Sequence, residues 1–201
     1  METIMLRNIV VGVGAVFLLG ACQQQSASMP PPSSPTSYTN PLPDARFVGF
    51  AQTVNDFEVQ SGRLALSKSS NELVRGYATR AVSEYSADGQ SLSRNRSLAG
   101  VSYAPDENVK AIADDAMSRL NSLQGADFDK AYADAQVRVQ TAAVDQFGAY
   151  SGNANASGPL RRYAQEMLPK SQSFLEYAKR LHGGVWILAS PRLEVVTIGI
   201  S

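Results

Sequence analysis

The 201-residue chain contains only one cysteine and one histidine, Cys22 and His182. A single cysteine cannot form an internal disulfide, so the folded part must rely on packing of apolar side chains. A zinc site built from cysteine and histidine takes about four ligands, more than these two residues supply. Ser-His-Asp and Cys-His catalysis are excluded as well, unless His182 alone serves as the base. We therefore expect no catalytic residues and no metal or cofactor site of these kinds.

The chain also lacks an excess of charge of either sign. Eighteen lysines and arginines face eighteen aspartates and glutamates, which gives a formal net charge of zero. A balanced chain offers no general electrostatic attraction to a polyanion. A phosphate-binding loop is missing too, because the sequence SGNANASG at residues 151–158 lacks the lysine that such loops require. We therefore expect no nucleic-acid partner.

An uncharged run of thirteen residues, IVVGVGAVFLLGA at residues 9–21, follows Arg7. A positive residue before a short apolar run is typical of a secretory signal peptide, and this run is too short to span a bilayer. It ends in LGAC at residues 19–22, which resembles the bacterial lipobox, where the cysteine receives a lipid and becomes the mature N-terminus. Residues 1–21 are therefore predicted to be a lipoprotein signal peptide that precedes a lipidated Cys22.

The residues beside this segment indicate where the lipid would be held. Gln23 follows the cysteine, where an aspartate would favour retention at the inner membrane. We therefore expect a lipid-anchored protein of the outer membrane that faces the periplasm, with the membrane as its first partner through Cys22. Several acyl chains make such an anchor essentially permanent. Translation can start at Met1 or at Met5, since both precede Arg7.

Residues 22–44 are rich in proline and serine, and six of the ten prolines fall within them. Such a stretch cannot bury an apolar face, so we predict a disordered, extended tether that leads from the lipidated Cys22. Fully extended, it would reach about 60 Å. Only Leu42 and a few aromatic residues could attach it to a folded domain.

Residues 45–182 show the period of amphipathic helices. Apolar residues recur at steps of three and four in five successive segments, as at Phe47, Val54 and Phe57 in the first of them. Four of these segments are long and one is short. The pattern predicts an all-α domain, an up-and-down four-helix bundle with one extra short helix.

Local signals predict where several of these helices begin and end. Ser69 and Glu72 form an S-x-x-E capping box for the second helix, and Pro105 fits the first position of the short one. Gly183-Gly184 predicts the end of the last helix. The apolar tail that follows, residues 183–201, is rich in β-branched residues and is consistent with a short β-hairpin. Packing of the tail on the bundle, pairing with a partner or a loose end remain alternatives.

Four segments resemble, in order and spacing, the bacterial exported family catalogued as domain of unknown function 4142. They read VNDFEVQSGRLALSKSS, VRGYATRAVSEYSADGQSL, LNSLQGADFDKAYADAQV and RRYAQEMLPKSQSFLEYAKRL, and together cover about residues 45–181. The resemblance implies a ferritin-like helical bundle in the bacterial envelope. It implies no established reaction.

Ferritin-like bundles can hold metals through inward-facing carboxylates and Glu-x-x-His pairs. The resemblance implies a glutamate at position 58 and histidines at three further positions, where this chain has Tyr85, Gln140 and Phe174. We therefore predict a polar cluster of Glu58, Glu84, Tyr85 and Gln140, capped by the aromatic ring, rather than a metal site. A site that uses only the carboxylates of Glu58 and Glu84 is the alternative, although two oxygen donors bind a transition metal poorly.

These observations favour a non-catalytic envelope lipoprotein that acts as a binding, structural or stress-related module with an unidentified protein or small-molecule partner. The first alternative is a ferritin-like carboxylate metal-binding protein or enzyme, which requires several converging acidic groups. The second is a small-molecule or lipid carrier, which requires a large enclosed apolar pocket.

Overall fold

The computed structural model describes the backbone of residues 38–189 and the side chains of residues 38–186. This part of the chain forms five α-helices and no strand: α1 (Asp44–Lys68), α2 (Glu72–Ala99), α3 (Glu107–Ser122), α4 (Gly125–Ser151) and α5 (Gly158–Ala189). The predicted all-α fold is confirmed. None of these helices is both long enough and apolar enough to cross a membrane. The predicted signal peptide, Cys22 and the tail from residue 190 onward lie outside the described residues.

The four long helices form a ring in which α1 and α5 are each flanked by α2 and α4. Helices α1 and α4 run antiparallel, as their contacts show. Near one end the Tyr150 hydroxyl donates to Asp44 Oδ1 at 2.5 Å, and near the middle Gln140 Nε2 donates to Glu58 Oε1 at 3.1 Å. The ring encloses a core of apolar and aromatic side chains, most of them fully buried.

The short helix α3 connects the two halves of the bundle. It runs parallel to α1 on the outside of the ring, held at its start by the Arg46–Asp106 ion pair at 2.6 Å. At its end Lys68 Nζ donates to the carbonyls of Leu120 and Asn121 at 2.9 and 2.7 Å. The predicted extra helix is therefore the crossover that carries the chain back along the bundle, and a single long crossover is the ferritin-like connection.

Two helix starts differ from the sequence prediction. Helix α2 is capped by Asn71, whose side chain accepts from the Leu73 amide at 2.9 Å. Ser69, predicted as the cap, lies two residues earlier, where its hydroxyl donates to Asp129 Oδ1 on α4 at 2.6 Å and accepts from the Asn71 amide at 3.1 Å. Helix α3 begins two residues after Pro105, with Asp106 as the capping residue.

The predicted end of the last helix at Gly183-Gly184 is wrong, since α5 continues to Ala189. Glycine in a helix costs about 1 kcal/mol relative to alanine. Here the following turn is held by tertiary contact, because Val185 is 97% buried and Gly184 packs closely on the Leu73 side chain. Residues 183–189 are therefore helical rather than part of a hairpin, and the remainder of the tail is not among the described residues.

The last residues of the predicted tether pack on the bundle. Tyr38 and Leu42 are each only 8% exposed, and the Tyr38 hydroxyl donates to Asp106 Oδ1. The sequence predicted that Leu42 is one of the few tether residues that could contact the domain. The attachment point lies where α1 and α3 both begin, so the chain enters the domain at that end.

Aromatic side chains fill the core near this end. Phe47 stacks on Tyr150 with ring centroids 3.6 Å apart, and Phe147 packs edge-on against both Phe47 and Phe50. Together with Tyr163, these residues are called the aromatic layer below. Their two tyrosine hydroxyls lie at its margin, where they bond to polar groups of α1.

Candidate functional site

The middle of the bundle contains a buried polar cluster. Helix α1 contributes one carboxylate, α2 two tyrosines, and α4 three residues spaced by four along one helix face. All six side chains have zero exposure. We call them the Glu58 cluster: Glu58, Tyr77, Tyr85, Tyr132, Gln136 and Gln140.

Two glutamine amides satisfy the buried carboxylate. Gln140 Nε2 donates to Glu58 Oε1 at 3.1 Å and to the Tyr85 hydroxyl oxygen at 2.7 Å. The Gln136 amide satisfies its neighbours when its nitrogen faces Glu58, 2.8 and 2.9 Å from the two carboxylate oxygens. Its oxygen then accepts from Ser61 Oγ at 3.1 Å. In this orientation both oxygens of the ionised Glu58 carboxylate receive amide hydrogens from α4, which links the two helices.

Burial controls the protonation of this cluster. Removal from water raises the pKa of Glu58 to about 8, while the hydrogen bond from Gln140 acts in the opposite direction. Burial also raises the pKa of Tyr77, Tyr85 and Tyr132 well above the ordinary value, and the nearby Glu58 charge adds to the effect. The tyrosines therefore remain protonated at physiological pH, and Glu58 titrates close to it.

Three of the four residues predicted for the cluster meet in the structure: Glu58, Tyr85 and Gln140. Phe174 packs beside them, with its ring centroid 5.1 Å from that of Tyr85, as the predicted aromatic cap requires. Glu84 does not belong to the cluster, and its side chain is 33% exposed and pairs with Arg80 at 2.7 Å. Adjacent helix residues point about 100° apart, so Glu84 and Tyr85 cannot share one face.

Gln136, Tyr77 and Tyr132 were not predicted to belong to the cluster. The hydroxyls of the two tyrosines are buried beside Glu58, which affects the pKa of both. One signal was present, because Tyr132, Gln136 and Gln140 are spaced by four residues and so share a helix face. A glutamine one turn before a predicted cluster residue was therefore a candidate from spacing alone.

The residues of the cluster do not fit the metal centre of a ferritin-like bundle. Glu58 is its only carboxylate, and the amide hydrogens of Gln136 and Gln140 already point at both oxygens. A bound cation would face these hydrogens instead of lone pairs. Across the described residues, no three histidine, cysteine, aspartate or glutamate side chains are grouped as a metal would require.

Two surface grooves lie on helix α2. One, of about 340 Å³, is lined by α1 and α2 residues that include Asn55, Arg63 and Gly89, with Tyr85 contributing to its lining. The other, of about 520 Å³, runs along residues 72–84. Both are open to solvent, and neither is the enclosed pocket that a lipid carrier requires.

The helix order, the crossover and the buried polar centre define an all-α bundle of five helices with a ferritin-like connection. The chain belongs to the family described as Domain of unknown function (DUF4142), whose model matches residues 27–181. The resemblance proposed from the sequence is therefore confirmed. Neither a comparison with curated proteins nor one with solved structures found a match.

Proposed function

We propose that the protein is a lipid-anchored component of the bacterial envelope whose helical bundle acts as a non-catalytic binding or structural module. The observation that carries the proposal is the order of segments along the chain. A lipobox-like LGAC sequence ends at Cys22, a proline-rich stretch follows, and Tyr38 and Leu42 then pack on the bundle. A lipid on Cys22 would therefore hold the bundle at one end.

The geometry of the Glu58 cluster supports a non-catalytic role. A substrate has to contact the reacting groups, whereas every side chain of this cluster has zero exposure. Amides of the same chain already bond both carboxylate oxygens. A buried carboxylate joined to a facing helix fixes how the helices pack, which is a structural use of a polar core.

The outer membrane, with the bundle in the periplasm, is the location we propose. Gln23 supports it, because an aspartate after the lipidated cysteine would favour the inner membrane. A stress-related role fits the same location. Under this proposal the module would act when the envelope is under stress.

Metabolic labelling tests the anchor. Cells expressing the full chain are grown with an alkyne fatty acid, and the protein is then analysed by gel fluorescence and mass spectrometry of its N-terminus. We expect a labelled mature chain that begins at Cys22 and fractionates with the outer membrane. Cys22→Ser should lose the label and the membrane association together, because no other cysteine is present.

An unlabelled wild-type chain, or a Cys22→Ser variant that still fractionates with the membrane, would refute the lipid anchor.

The non-catalytic role is tested separately with Glu58→Gln, which removes the carboxyl group of the cluster and keeps the shape of the side chain. We expect this variant to support the same growth under envelope stress as wild type. A growth defect with a normally folded and localised variant would point to chemistry at Glu58.

A further inference from the structure

The end of the bundle where the tether attaches is the end that a lipid on Cys22 would hold within reach of a bilayer. We call it the tether end and define it as residues 38–49, 94–109 and 148–162. Contacts across it join the starts of α1, α3 and α5 to the ends of α2 and α4. Examples are the Tyr150–Asp44 hydrogen bond and the bond from the Ala104 amide to the Ala45 carbonyl at 3.0 Å.

Exposed apolar side chains occur at this end. Among the described residues, four large apolar side chains are substantially exposed: Leu73 44%, Leu98 73%, Tyr103 49% and Trp186 45%. Leu98 and Tyr103 lie on the tether end, in the last turn of α2 and the loop that follows. Leu98 is the most exposed of the four, and nothing in the packing of the bundle requires a leucine there.

The tether end is also basic, although the whole chain is neutral. It carries five arginines and three acidic residues: Arg46, Arg94, Arg96, Arg161 and Arg162 with Asp44, Asp106 and Glu107. Asp44 and Asp106 are bonded within the fold, the first by Tyr150 and the second by Tyr38 and Arg46. Arg94, Arg96 and Arg162 are exposed and Glu107 is the exposed acidic residue of this end, so the charge that faces solvent is mainly positive.

Arg94 and Arg96 lie four and two residues before Leu98 in α2, and both are exposed. Neither forms an ion pair with another described residue. Arg96 lies in the last turn of α2, where a positive charge also interacts favourably with the helix dipole. That interaction accounts for Arg96. It does not explain Arg94, which lies one turn before Leu98, or the exposure of Leu98 itself.

We propose that the tether end docks on the surface of an anionic phospholipid bilayer, with Leu98 and Tyr103 in the headgroup region and Arg94 and Arg96 on the lipid phosphates. Arginine is attracted to anionic headgroups, and tyrosine is enriched where apolar and aqueous phases meet. This inference rests on the proposed lipid anchor.

The position of the tether makes weak docking sufficient. Fifteen residues separate Cys22 from Tyr38, and Tyr38 is bonded to Asp106 on this same end. At about 3.1 Å per residue the tether end stays within roughly 50 Å of the lipid. Tethering converts docking into an intramolecular step with a high effective concentration, so few contacts are needed.

The test uses the lipidated full chain reconstituted into vesicles. Because lipid occupies the thiol of Cys22, a cysteine introduced at an exposed serine accepts an environment-sensitive fluorophore selectively. Ser102→Cys reports on the tether end, and Ser70→Cys, in the α1–α2 turn at the opposite end, is the matched control. Both serines are exposed, and both substitutions leave Leu98 and Tyr103 in place.

In vesicles of phosphatidylglycerol and phosphatidylcholine we expect label 102, but not label 70, to gain roughly twofold in emission and to be quenched by nitroxide lipids. The gain should disappear in pure phosphatidylcholine, at high salt, and in the chain with Arg94→Gln and Arg96→Gln. Arg63→Gln, which removes an exposed arginine on the side of α1, should leave it unchanged.

Equal responses from the two labels, or a response of label 102 that ignores the two arginines, would overturn the docking proposal. Capture of a protein rather than lipid by a photocrosslinker at residue 102 in cells would do the same. If the unmodified chain itself takes up the fluorophore, Cys22 is free and the lipid anchor has failed. Docking is then tested by binding of the unlipidated chain to the same vesicles. Binding that is lost with Arg94→Gln and Arg96→Gln supports docking, and any other result overturns it.

Discussion

The aromatic layer and the Glu58 cluster lie one above the other in the same bundle, yet different interactions hold them together. In the aromatic layer the polar atoms are at the margin, and the centre consists of rings such as Phe47 and Phe147. In the Glu58 cluster a carboxylate is at the centre, and its oxygens depend on Gln136 and Gln140.

The difference between the two layers shows what each type of packing tolerates. Apolar packing is non-directional and scales with buried area, so a lost ring costs a cavity and the contacts around it. A buried polar group depends on specific partners, and removing one of them leaves the other unsatisfied. The first layer should therefore respond to changes in volume and the second to changes in pairing and pH.

The largest effect should come from Phe47→Ala in the aromatic layer. Phe47 is fully buried and stacks on Tyr150. Its truncation should lower the free energy of unfolding by about 3–5 kcal/mol, measured by urea denaturation. Leu98→Ala, at a side chain that is 73% exposed, is the control and should change little. A Phe47→Ala loss as small as that of the control would contradict the assigned packing.

The second effect is a pH dependence that belongs to Glu58. Its pKa is raised from 4.5 to about 8 on folding, so between these values the folded chain retains a proton that the unfolded chain releases. Stability should therefore fall as pH rises through this window, by up to about 1.4 kcal/mol per pH unit. Above the pKa of Glu58 in the folded chain, the extra stability that its bound proton provides is lost.

Unfolding of wild type and Glu58→Gln between pH 5 and pH 9 isolates this contribution, because all other titrating groups are shared. The variant should gain stability relative to wild type as pH rises. Parallel pH profiles for the two proteins would show that Glu58 does not titrate as the burial of its carboxylate requires.

The third effect concerns pairing and should follow Gln136→Met. This change keeps the volume but removes the amide that faces both oxygens of Glu58. We expect a loss of about 1–3 kcal/mol, the cost of leaving a buried polar group unsatisfied. Thermal unfolding at neutral pH measures it. A neutral result would mean that Gln136 does not satisfy the carboxylate.

The smallest effect has the opposite sign. Gln146, on the same helix, is fully buried, and neither its Nε2 nor its Oε1 bonds to a described residue. Gln146→Met should therefore stabilise the protein by about 1 kcal/mol, because an unsatisfied amide is replaced by an apolar group of similar size. Gln136→Met is the matched comparison. If both variants changed the free energy of unfolding in the same direction, the distinction between a paired and an unpaired glutamine would be wrong.

Much of the fold follows from local sequence. The three- and four-residue spacing of apolar side chains predicted all five helices, because that period puts them on one face. Glu58, Tyr85 and Gln140 could be placed together by combining this period with the family pattern. Gln136 lay one turn away, but a polar residue on an apolar face does not by itself show which partner it meets.

The errors arose where distant residues compete with local signals. Ser69 has the spacing of a capping residue, but its hydroxyl bonds to Asp129. Gly183-Gly184 is a strong local stop, but α5 passes through it because Val185 is buried against the bundle. Glu84 was predicted in the cluster as a second carboxylate beside Glu58, although a helix directs it away from the face that carries Tyr85.

The sequence by itself determined the helices, the proline-rich segment before them and the family, since these depend on residue type and spacing along the chain. Only the tertiary structure decided that α3 is a crossover, that Tyr38 is bonded to the bundle, and that Glu58 is satisfied by two amides of α4. Those features depend on contacts between residues far apart in the chain, and local propensity carries no information about such distances. The partners of the Glu58 carboxyl, and with them its pKa, are therefore a property of the assembled core.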